Sequence, residues 1–302
     1  MERLIGTVSR GIRAPIITQG DNLIDIVKDS VLKACASEDI KLQDGDIVAI
    51  TESIVARAQG NYITVDDIAK DIKSLYGNDC TLGVIFPILS RNRFAICLKG
   101  IARGVKKIVL MLSYPSDEVG NHLADFDTLD DNDINPYKDV LTEAKYRELF
   151  GYCKHSFTGV DYIEYYKKII EDEGCEAEII LANDCRSILN YTKTVLCCDI
   201  HTRERSKKLL IKNGADKVYG LDDLVTKPSG DRGYNEDYGL LGSNKATEER
   251  IKLFPRDGFN IVNKIKQAFY QATAKSIEVM IYGDGAFKDP VGKIWELADP
   301  VV

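Results

Sequence analysis

Two aspartates near the end of the chain have the residue types and spacing that point most directly to metal chemistry. Asp284 lies between two glycines, after an apolar run, 277–282, that is short enough for one buried strand. Asp289 follows, ahead of residues 291–297, which we expect to be helical. A carboxylate at a strand end, flanked by glycines that let the backbone approach a ligand, suits a hard cation and phosphate oxygens. Asp and Gly are also ordinary turn residues, so a turn without a metal is the alternative.

Basic and polar side chains occur at two other places where a phosphate would need them. Arg13 lies in a cationic loop, residues 10–15, whose glycine gives the backbone freedom to wrap around an anion. Ser53 and Arg57 follow the apolar run 47–51, which we predict to be a strand. The alternative is that Ser53 is only the N-cap of the next helix and Arg57 a surface residue.

The most basic segment of this acidic chain follows a further predicted strand, residues 83–88. Arg91 and Arg93 lie in the loop directly after that strand. A basic loop at a strand end is a candidate anion site, which here would take an anionic substrate. The alternative is a solvated charged face, which is the commoner role of such a run.

The elements that position these residues belong to a chain of ordinary globular composition. The 302 residues are 44% apolar and 29% charged, and 40 Lys and Arg against 47 Asp and Glu give a net charge of -7. That balance argues against a general nucleic-acid or membrane-surface binder. No apolar run is long enough to span a bilayer, so we expect a cytoplasmic protein.

The cysteine and histidine content favours oxygen ligands for any metal. The eight cysteines form no C-x-x-C pair, and the chain has only three histidines. We therefore expect Mg²⁺ or Mn²⁺ rather than Zn²⁺, and we interpret the cysteines as small buried hydrophobic residues. A redox role for Cys197 and Cys198 is the alternative.

From residue 105 onward the pattern changes to alternating short strands and helices. Predicted strands at 107–113, 177–181, 194–198 and 217–219 are separated by helical segments, which is typical of a parallel, doubly wound layer. This layer has no G-x-G-x-x-G motif, so the sequence gives no dinucleotide fingerprint.

Two distant parts of the chain resemble one family. Residues 42–62, LQDGDIVAITESIVARAQGNY, resemble the hallmark segment of the γ-glutamyl ligases that build the polyglutamate tail of the deazaflavin coenzyme F-420. Residues 11–23, GIRAPIITQGDNL, resemble the entry segment of that family. Residues 252–290 resemble its late segment, and the three matches occur in the family's order.

The resemblance implies a fold and a reaction. The fold is an α+β ligase-like core, residues 1–104 and 236–302, around an inserted α/β, Rossmann-like layer at 105–235. The reaction uses GTP (or ATP) and Mg²⁺ or Mn²⁺ to activate a substrate carboxylate as an acyl phosphate, which the amino group of L-glutamate then attacks. Family members form homodimers, so we expect a homodimer.

The resemblance, taken together with the residue patterns above, assigns roles to individual residues. Asp284 and Arg57 would be catalytic, and Asp284 and Asp289 would bind the metal. The nucleotide-binding residues would be Arg13, Ser53, Arg57, Asn244 and Lys288, and the residues that bind an anionic acceptor would be Arg91 and Arg93.

Departures from the family pattern keep two other functions open. Gly285 stands where the family has a threonine ligand, Glu52 and Ser53 stand where it has a Ser-Lys pair, and its glycine-rich C-terminal segment has no counterpart before Val302. We therefore expect the chain to be a C-terminally truncated piece. The alternatives are a non-catalytic nucleotide- or metabolite-binding protein that retains the fold, and a redox or dinucleotide function in residues 105–235.

Overall fold

The computed structural model describes residues 8–155, 158–283, 286–288 and 295–297, the last two ranges as backbone strands. The helices, in chain order, are α1 (Leu23–Ser37), α2 (Glu52–Gln59), α3 (Val65–Tyr76), α4 (Phe94–Arg103), α5 (Phe126–Asp131), α6 (Glu143–Phe150), α7 (Tyr162–Asp172), α8 (Arg203–Lys212) and α9 (Gly258–Thr273). Short 3-10 helices occupy Cys185–Asn190 and Leu221–Asp223.

The strands, in chain order, are β1 (Ile47–Thr51), β2 (Tyr62–Thr64), β3 (Thr81–Ile85), β4 (Lys107–Leu112), β5 (Leu141–Thr142), β6 (Glu176–Leu181), β7 (Thr194–Cys197), β8 (Lys217–Gly220), β9 (Asn244–Lys245), β10 (Arg250–Lys252), β11 (Glu278–Tyr282), β12 (Ala286–Lys288) and β13 (Trp295–Leu297). The structure is therefore a mixed α/β protein with several sheets. The helix predicted over 291–297 is wrong for its last residues, because β13 pairs antiparallel with β12.

The chain divides into two compact units. Unit 1 comprises Met1–Gly60 and Pro255–Gly283, and unit 2 comprises Asn61–Phe254 and Asp284–Val302. In unit 1, β1 and β11 form a two-stranded parallel sheet. Its core is formed by buried residues of α1, α2, α9 and both strands, which include Val31, Val55, Ile265 and Phe269.

Unit 2 is built on a six-stranded sheet in the order β5-β6-β4-β3-β7-β8. All its pairs are parallel except that of the edge strand β5 with β6. One face of the sheet packs against α3, α4 and α7, and the other packs against α8 and the 3-10 helix at Cys185–Asn190. Strands buried on both faces need nearly continuous apolar runs, and β4, KIVLML, has such a run.

A smaller antiparallel sheet, β2-β10-β9, and the antiparallel pair β12-β13 complete the described strands of unit 2. None of the helices in the described part of the chain combines the length and the apolar character needed to cross a membrane. The three-part division predicted from the sequence, with boundaries at residues 105 and 235, stays a prediction. The parallel sheet itself takes β3 from before residue 105, because β3 pairs with both β4 and β7.

Candidate active site

The tips of two strands in unit 1 lie side by side. β1 and β11 run parallel, and their last residues, Thr51 and Tyr282, are register partners. Because the strands are parallel, their carboxyl ends share one edge of the sheet. Thr51 leads directly into α2, and Tyr282 precedes Gly283 and, in the sequence, Asp284. Asp284 and Asp289 lie outside the described residues, as does the side chain of Lys288.

The helix α2 carries the polar residues that were predicted from the hallmark segment, Ser53 in its first turn and Arg57 in its last. Ser53 and Arg57 are four residues apart, so they lie on one face of the helix, and Arg57 is exposed. The N-cap of α2 is Thr51, so the alternative that Ser53 is the N-cap is wrong. Glu52 is only 9% exposed although it begins the helix.

A cationic groove in unit 1 contains Arg13. The groove has a volume of about 970 Å³ and lies between the loop at residues 10–15 and α1. Its cationic lining residues are Arg10, Arg13 and Lys33, and its one acidic lining residue is Glu38. The sequence analysis did not single out Lys33, although the apolar face of α1, with Val27 and Val31 buried, predicts an exposed polar face at this position.

The other predicted ligand-binding residues lie close together in unit 2. Asn244 begins β9, and the next residue, Lys245, donates its backbone N–H to the Asn92 carbonyl at 2.7 Å. Asn92 lies between Arg91 and Arg93, so the loop after β3 and β9 form one polar surface. Burial raises the pKa of Tyr165, and the positive charge of Arg91 acts in the opposite direction.

A comparison with sequence models of protein families shows which family the chain belongs to. The sequence model of F420-0:gamma-glutamyl ligases matches residues 11–302, which is nearly the whole chain. The chain belongs to the F420-0:gamma-glutamyl ligase family. The protein is thus a ligase, and its family implies that it adds glutamate to a substrate. A search of the curated proteins returned no match to the chain.

The ligase also contains a buried polar network that the sequence analysis missed. Asp117, 7% exposed, accepts hydrogen bonds from the backbone N–H of Leu89 at 2.8 Å, of Val119 at 3.0 Å and of Asn121 at 2.8 Å. The Asn121 Oδ1 atom in turn lies 3.0 Å from His155 Nε2. Since the Thr158 N–H donates to His155 Nδ1 at 3.2 Å, His155 is the neutral Nε2–H tautomer. Burial lowers the pKa of His155, consistent with the neutral form.

Three further polar residues after the strands of the large sheet have structural roles. Asn183 accepts a hydrogen bond from the Tyr114 N–H at 3.1 Å, and Asp184 caps the 3-10 helix by accepting the Arg186 N–H at 2.9 Å. Asp199 accepts from the Ser206 hydroxyl at 2.8 Å. The contact of Asp184 is local, two residues along the chain, whereas no spacing in the sequence marks those of Asn183 and Asp199, whose partners come from a separate loop and from a hydroxyl group within α8.

The residues that the structure describes form neither the predicted metal site nor a redox site. Within residues 8–155 and 158–283, no group of three or more His, Cys, Asp and Glu side chains could hold an ion. The predicted ligands Asp284 and Asp289 fall outside these ranges. The described cysteines are free thiols, and burial raises the pKa of Cys197 and Cys198, which opposes thiolate chemistry.

Proposed function

We propose that the protein joins L-glutamate to a carboxylate acceptor through an acyl phosphate, using GTP or ATP and a divalent cation. The family match over residues 11–302 carries this proposal. The register of β1 and β11 supports it, because the two segments that resemble the family most closely meet at the tips of these strands. Ser53 and Arg57 follow β1 in the sequence, and Asp284 follows β11.

The reaction needs activation because a carboxylate is a poor electrophile. A carboxylate oxygen of the acceptor attacks the γ-phosphorus, the bond to the β–γ bridging oxygen breaks, and the nucleoside diphosphate leaves. The glutamate nitrogen then attacks the acyl carbon, the C–O bond to phosphate breaks, and the amine loses a proton as the amide forms. A Mg²⁺ or Mn²⁺ ion supplies charge neutralisation on the triphosphate. The predicted residues would hold that ion through Asp284 and Asp289.

The cationic groove supports a role for Arg13 in binding nucleotide phosphates. Three cations, Arg10, Arg13 and Lys33, line one groove in a chain with a net charge of -7. A cluster of this kind raises the local concentration of anions and offers charge-assisted hydrogen bonds. In this proposal Arg13 contacts the phosphates directly, and Arg10 and Lys33 contribute to the local positive potential.

The position of α2 supports roles for Ser53, in its first turn, and for Arg57, one turn further along the same face. A helix N-terminus that follows a strand presents backbone N–H groups and a positive dipole end to an anion. Ser53 would donate to a phosphate oxygen, and Arg57 would stabilise the charge that develops during phosphoryl transfer. Lys288, near Asp284 in the sequence, would add a further cation.

In unit 2, the surface formed by Arg91, Arg93 and Asn244 supports the binding of an anionic acceptor and of nucleotide. The Lys245–Asn92 hydrogen bond fixes this surface at the carboxyl end of β3. A planar guanidinium fork binds carboxylate or phosphate in a bidentate manner, which a lysine does not. We assign Arg91 and Arg93 to the acceptor and Asn244 to the nucleotide.

At the level of the fold, we propose that the parallel sheet is a Rossmann-like layer inserted into an α+β ligase core. The chain order of its parallel strands across the sheet, β6-β4-β3-β7-β8, is that of the doubly wound dinucleotide fold. A homodimer and a cytoplasmic location remain expectations from the resemblance and the composition.

A single assay separates a ligase from a binding protein. The full chain is incubated with GTP or ATP, Mn²⁺ or Mg²⁺, L-glutamate and candidate carboxylate acceptors, including deazaflavin and folate precursors. We expect phosphate release that depends on the acceptor, together with a product heavier by one glutamyl residue in mass spectrometry. Nucleotide binding without phosphate release under any of these conditions would instead favour the non-catalytic alternative.

A further inference from the structure

The large sheet of unit 2 has a topological switch point between β3 and β7. From β3 the chain proceeds to β4 and β6 on one side of the sheet and later returns to β7 and β8 on the other side. In open α/β sheets the crevice outside the carboxyl ends of the strands at such a point is where ligands bind. The roles proposed above do not use the β7 side of this crevice.

The loop after β4 crosses this crevice and connects its two sides. Asp117, in that loop, accepts a hydrogen bond from the Leu89 N–H in the loop after β3, at 2.8 Å. The next residue, Glu118, reaches the loop after β7 and accepts from the Ile200 N–H at 2.6 Å. The loop after β4 therefore spans the crevice, and the Glu118 carboxylate lies on its β7 side.

The groups that hold Glu118 form a cradle for an anion. Three successive backbone N–H groups converge on its carboxylate, from Ile200 at 2.6 Å, His201 at 3.3 Å and Thr202 at 3.2 Å, and the Thr202 hydroxyl adds a contact at 2.8 Å. Successive N–H groups of this kind are the basis of phosphate-binding nests. The ten-residue helix α8 follows immediately, with its positive end at the cradle. His201 and Thr202 are exposed, so solvent reaches the cradle.

A buried carboxyl group beside the cradle gives a second, independent observation. Asp199 is fully buried, and its Oδ1 atom has no hydrogen-bond partner among the residues that the structure describes. Its Oδ2 atom lies 2.8 Å from the Thr202 hydroxyl, which is also 2.8 Å from Glu118. One hydroxyl proton cannot form two full hydrogen bonds, so a proton on one of the two carboxyl groups would complete the second.

Asp199 is the group that holds this proton most readily. Burial raises the pKa of Asp199, and the charge of Glu118 raises it further. Glu118 instead accepts three backbone N–H groups. A neutral carboxyl group can donate a hydrogen bond to a phosphate oxygen, so Asp199 does not repel an anion from the cradle.

We propose that the N–H groups of Ile200, His201 and Thr202 form a phosphate-binding site, which the Glu118 carboxylate of the same chain occupies in this structure. The ligand class is a phosphate dianion, either free or at the end of a nucleotide. This site is separate from the groups proposed for glutamate ligation, and its test does not depend on them.

The test is phosphate binding by Glu118→Ala and Glu118→Gln variants of the full chain. Isothermal titration calorimetry measures affinity for inorganic phosphate and, separately, for adenosine 5′-monophosphate, and amide NMR shifts report on residues 200–202. The matched control is Glu148→Ala, which removes one negative charge from an exposed position on α6. Circular dichroism identifies variants that retain the fold, and Glu118→Gln preserves the side-chain shape.

We expect both Glu118 variants to bind phosphate at least about tenfold more tightly than Glu148→Ala does. In these variants the charged Glu118 carboxylate no longer competes with phosphate for the N–H groups. The amide shifts of residues 200–202 should move, and adding Thr202→Ala should reverse part of the gain. Tighter binding of the nucleotide than of phosphate would identify a nucleotide ligand, whereas equal affinity would identify free phosphate. A folded Glu118 variant that binds neither probe more tightly than the control overturns the proposal.

Discussion

At the scale of single residues, the role of Arg13 is the most accessible to mutation. Arg13→Ala removes one of the three cations of the groove, so we expect nucleotide affinity to fall about tenfold, the loss typical of one charge-assisted hydrogen bond. Titration with a fluorescent GTP analogue measures this. Lys264→Ala is the matched control, because it removes one positive charge from an exposed position on α9 of the same unit. Equal affinities of the two variants would exclude Arg13 from the nucleotide site.

The raised pKa of Asp199 predicts how the stability of the protein depends on pH. Burial raises its pKa in the folded protein, so the folded state binds the proton more tightly than the unfolded state does. Its contribution to stability is complete below the ordinary carboxyl pKa of about 4 and is lost as pH rises through the raised value. Asp199→Asn, which keeps a neutral side chain, should therefore gain stability relative to the wild type as pH rises across that window. Urea unfolding at a series of pH values measures the difference, and a difference that is flat or falls with pH contradicts the assignment.

The residue types indicated which loops contain candidate site residues, but not which partners their side chains contact. The polar loops around Arg13 and Arg91 were evident in the sequence because glycine and basic residues follow or flank apolar runs. Lys33 was missed because its partners in the groove come from a different segment, residues 10–15. Asp117 was missed for the same reason, since its four hydrogen bonds depend on how the loop after β4 folds back on Leu89 and on itself.

At the scale of elements, strands were predictable where apolar runs were short and clearly bounded. β1 has the predicted bounds, 47–51, and β4 ends one residue before its prediction. The parallel pairing of β1 with β11 could not be derived from local pattern, because the two strands are far apart in the sequence. The predicted helix over 291–297 failed at β13, whose pairing with β12 is a tertiary contact that overrides local preference.

The packing of α3 against α4 depends on a glycine. A Cβ atom at Gly100 would lie 2.7 Å from Ile68 Cβ and 2.9 Å from the Val65 carbonyl oxygen. Alanine is favoured over glycine by about 1 kcal/mol of helix propensity, but overpacking costs about 1–3 kcal/mol. The neighbours here, the Val65 backbone and the β-branched Ile68 side chain, do not move easily. We therefore expect Gly100→Ala to lower the free energy of unfolding by up to about 2 kcal/mol.

Urea unfolding followed by circular dichroism measures that change. Gly258→Ala is the control, because the added Cβ atom at the start of α9 meets nothing nearer than Ile281 at 3.4 Å. This control should be neutral or slightly stabilising. If Gly100→Ala is as stable as the control, close helix contact at this glycine does not limit the stability of unit 2.

At the scale of the whole molecule, two compact units divide the predicted site residues. Arg13, Ser53 and Arg57 belong to unit 1, and Arg91, Arg93 and Asn244 belong to unit 2. The sequence predicted the family, because the matching segments occur in the family's order at both ends of the chain. It also predicted an α+β core with an inserted α/β layer, of which the structure shows the mixed α/β character. It could not predict the strand order of the large sheet, which depends on pairings between distant segments.

The most direct test of the proposed chemistry is Mn²⁺ binding in the presence of GTP, measured by the electron paramagnetic resonance signal of the free ion. The comparison is between the wild type, Asp284→Asn and the control Asp231→Asn, an exposed loop residue of unit 2. We predict that Asp284→Asn weakens Mn²⁺ binding about tenfold or more and abolishes acceptor-dependent phosphate release, while Asp231→Asn changes neither. Unchanged Mn²⁺ affinity in Asp284→Asn would contradict the proposed role of Asp284 as a metal ligand.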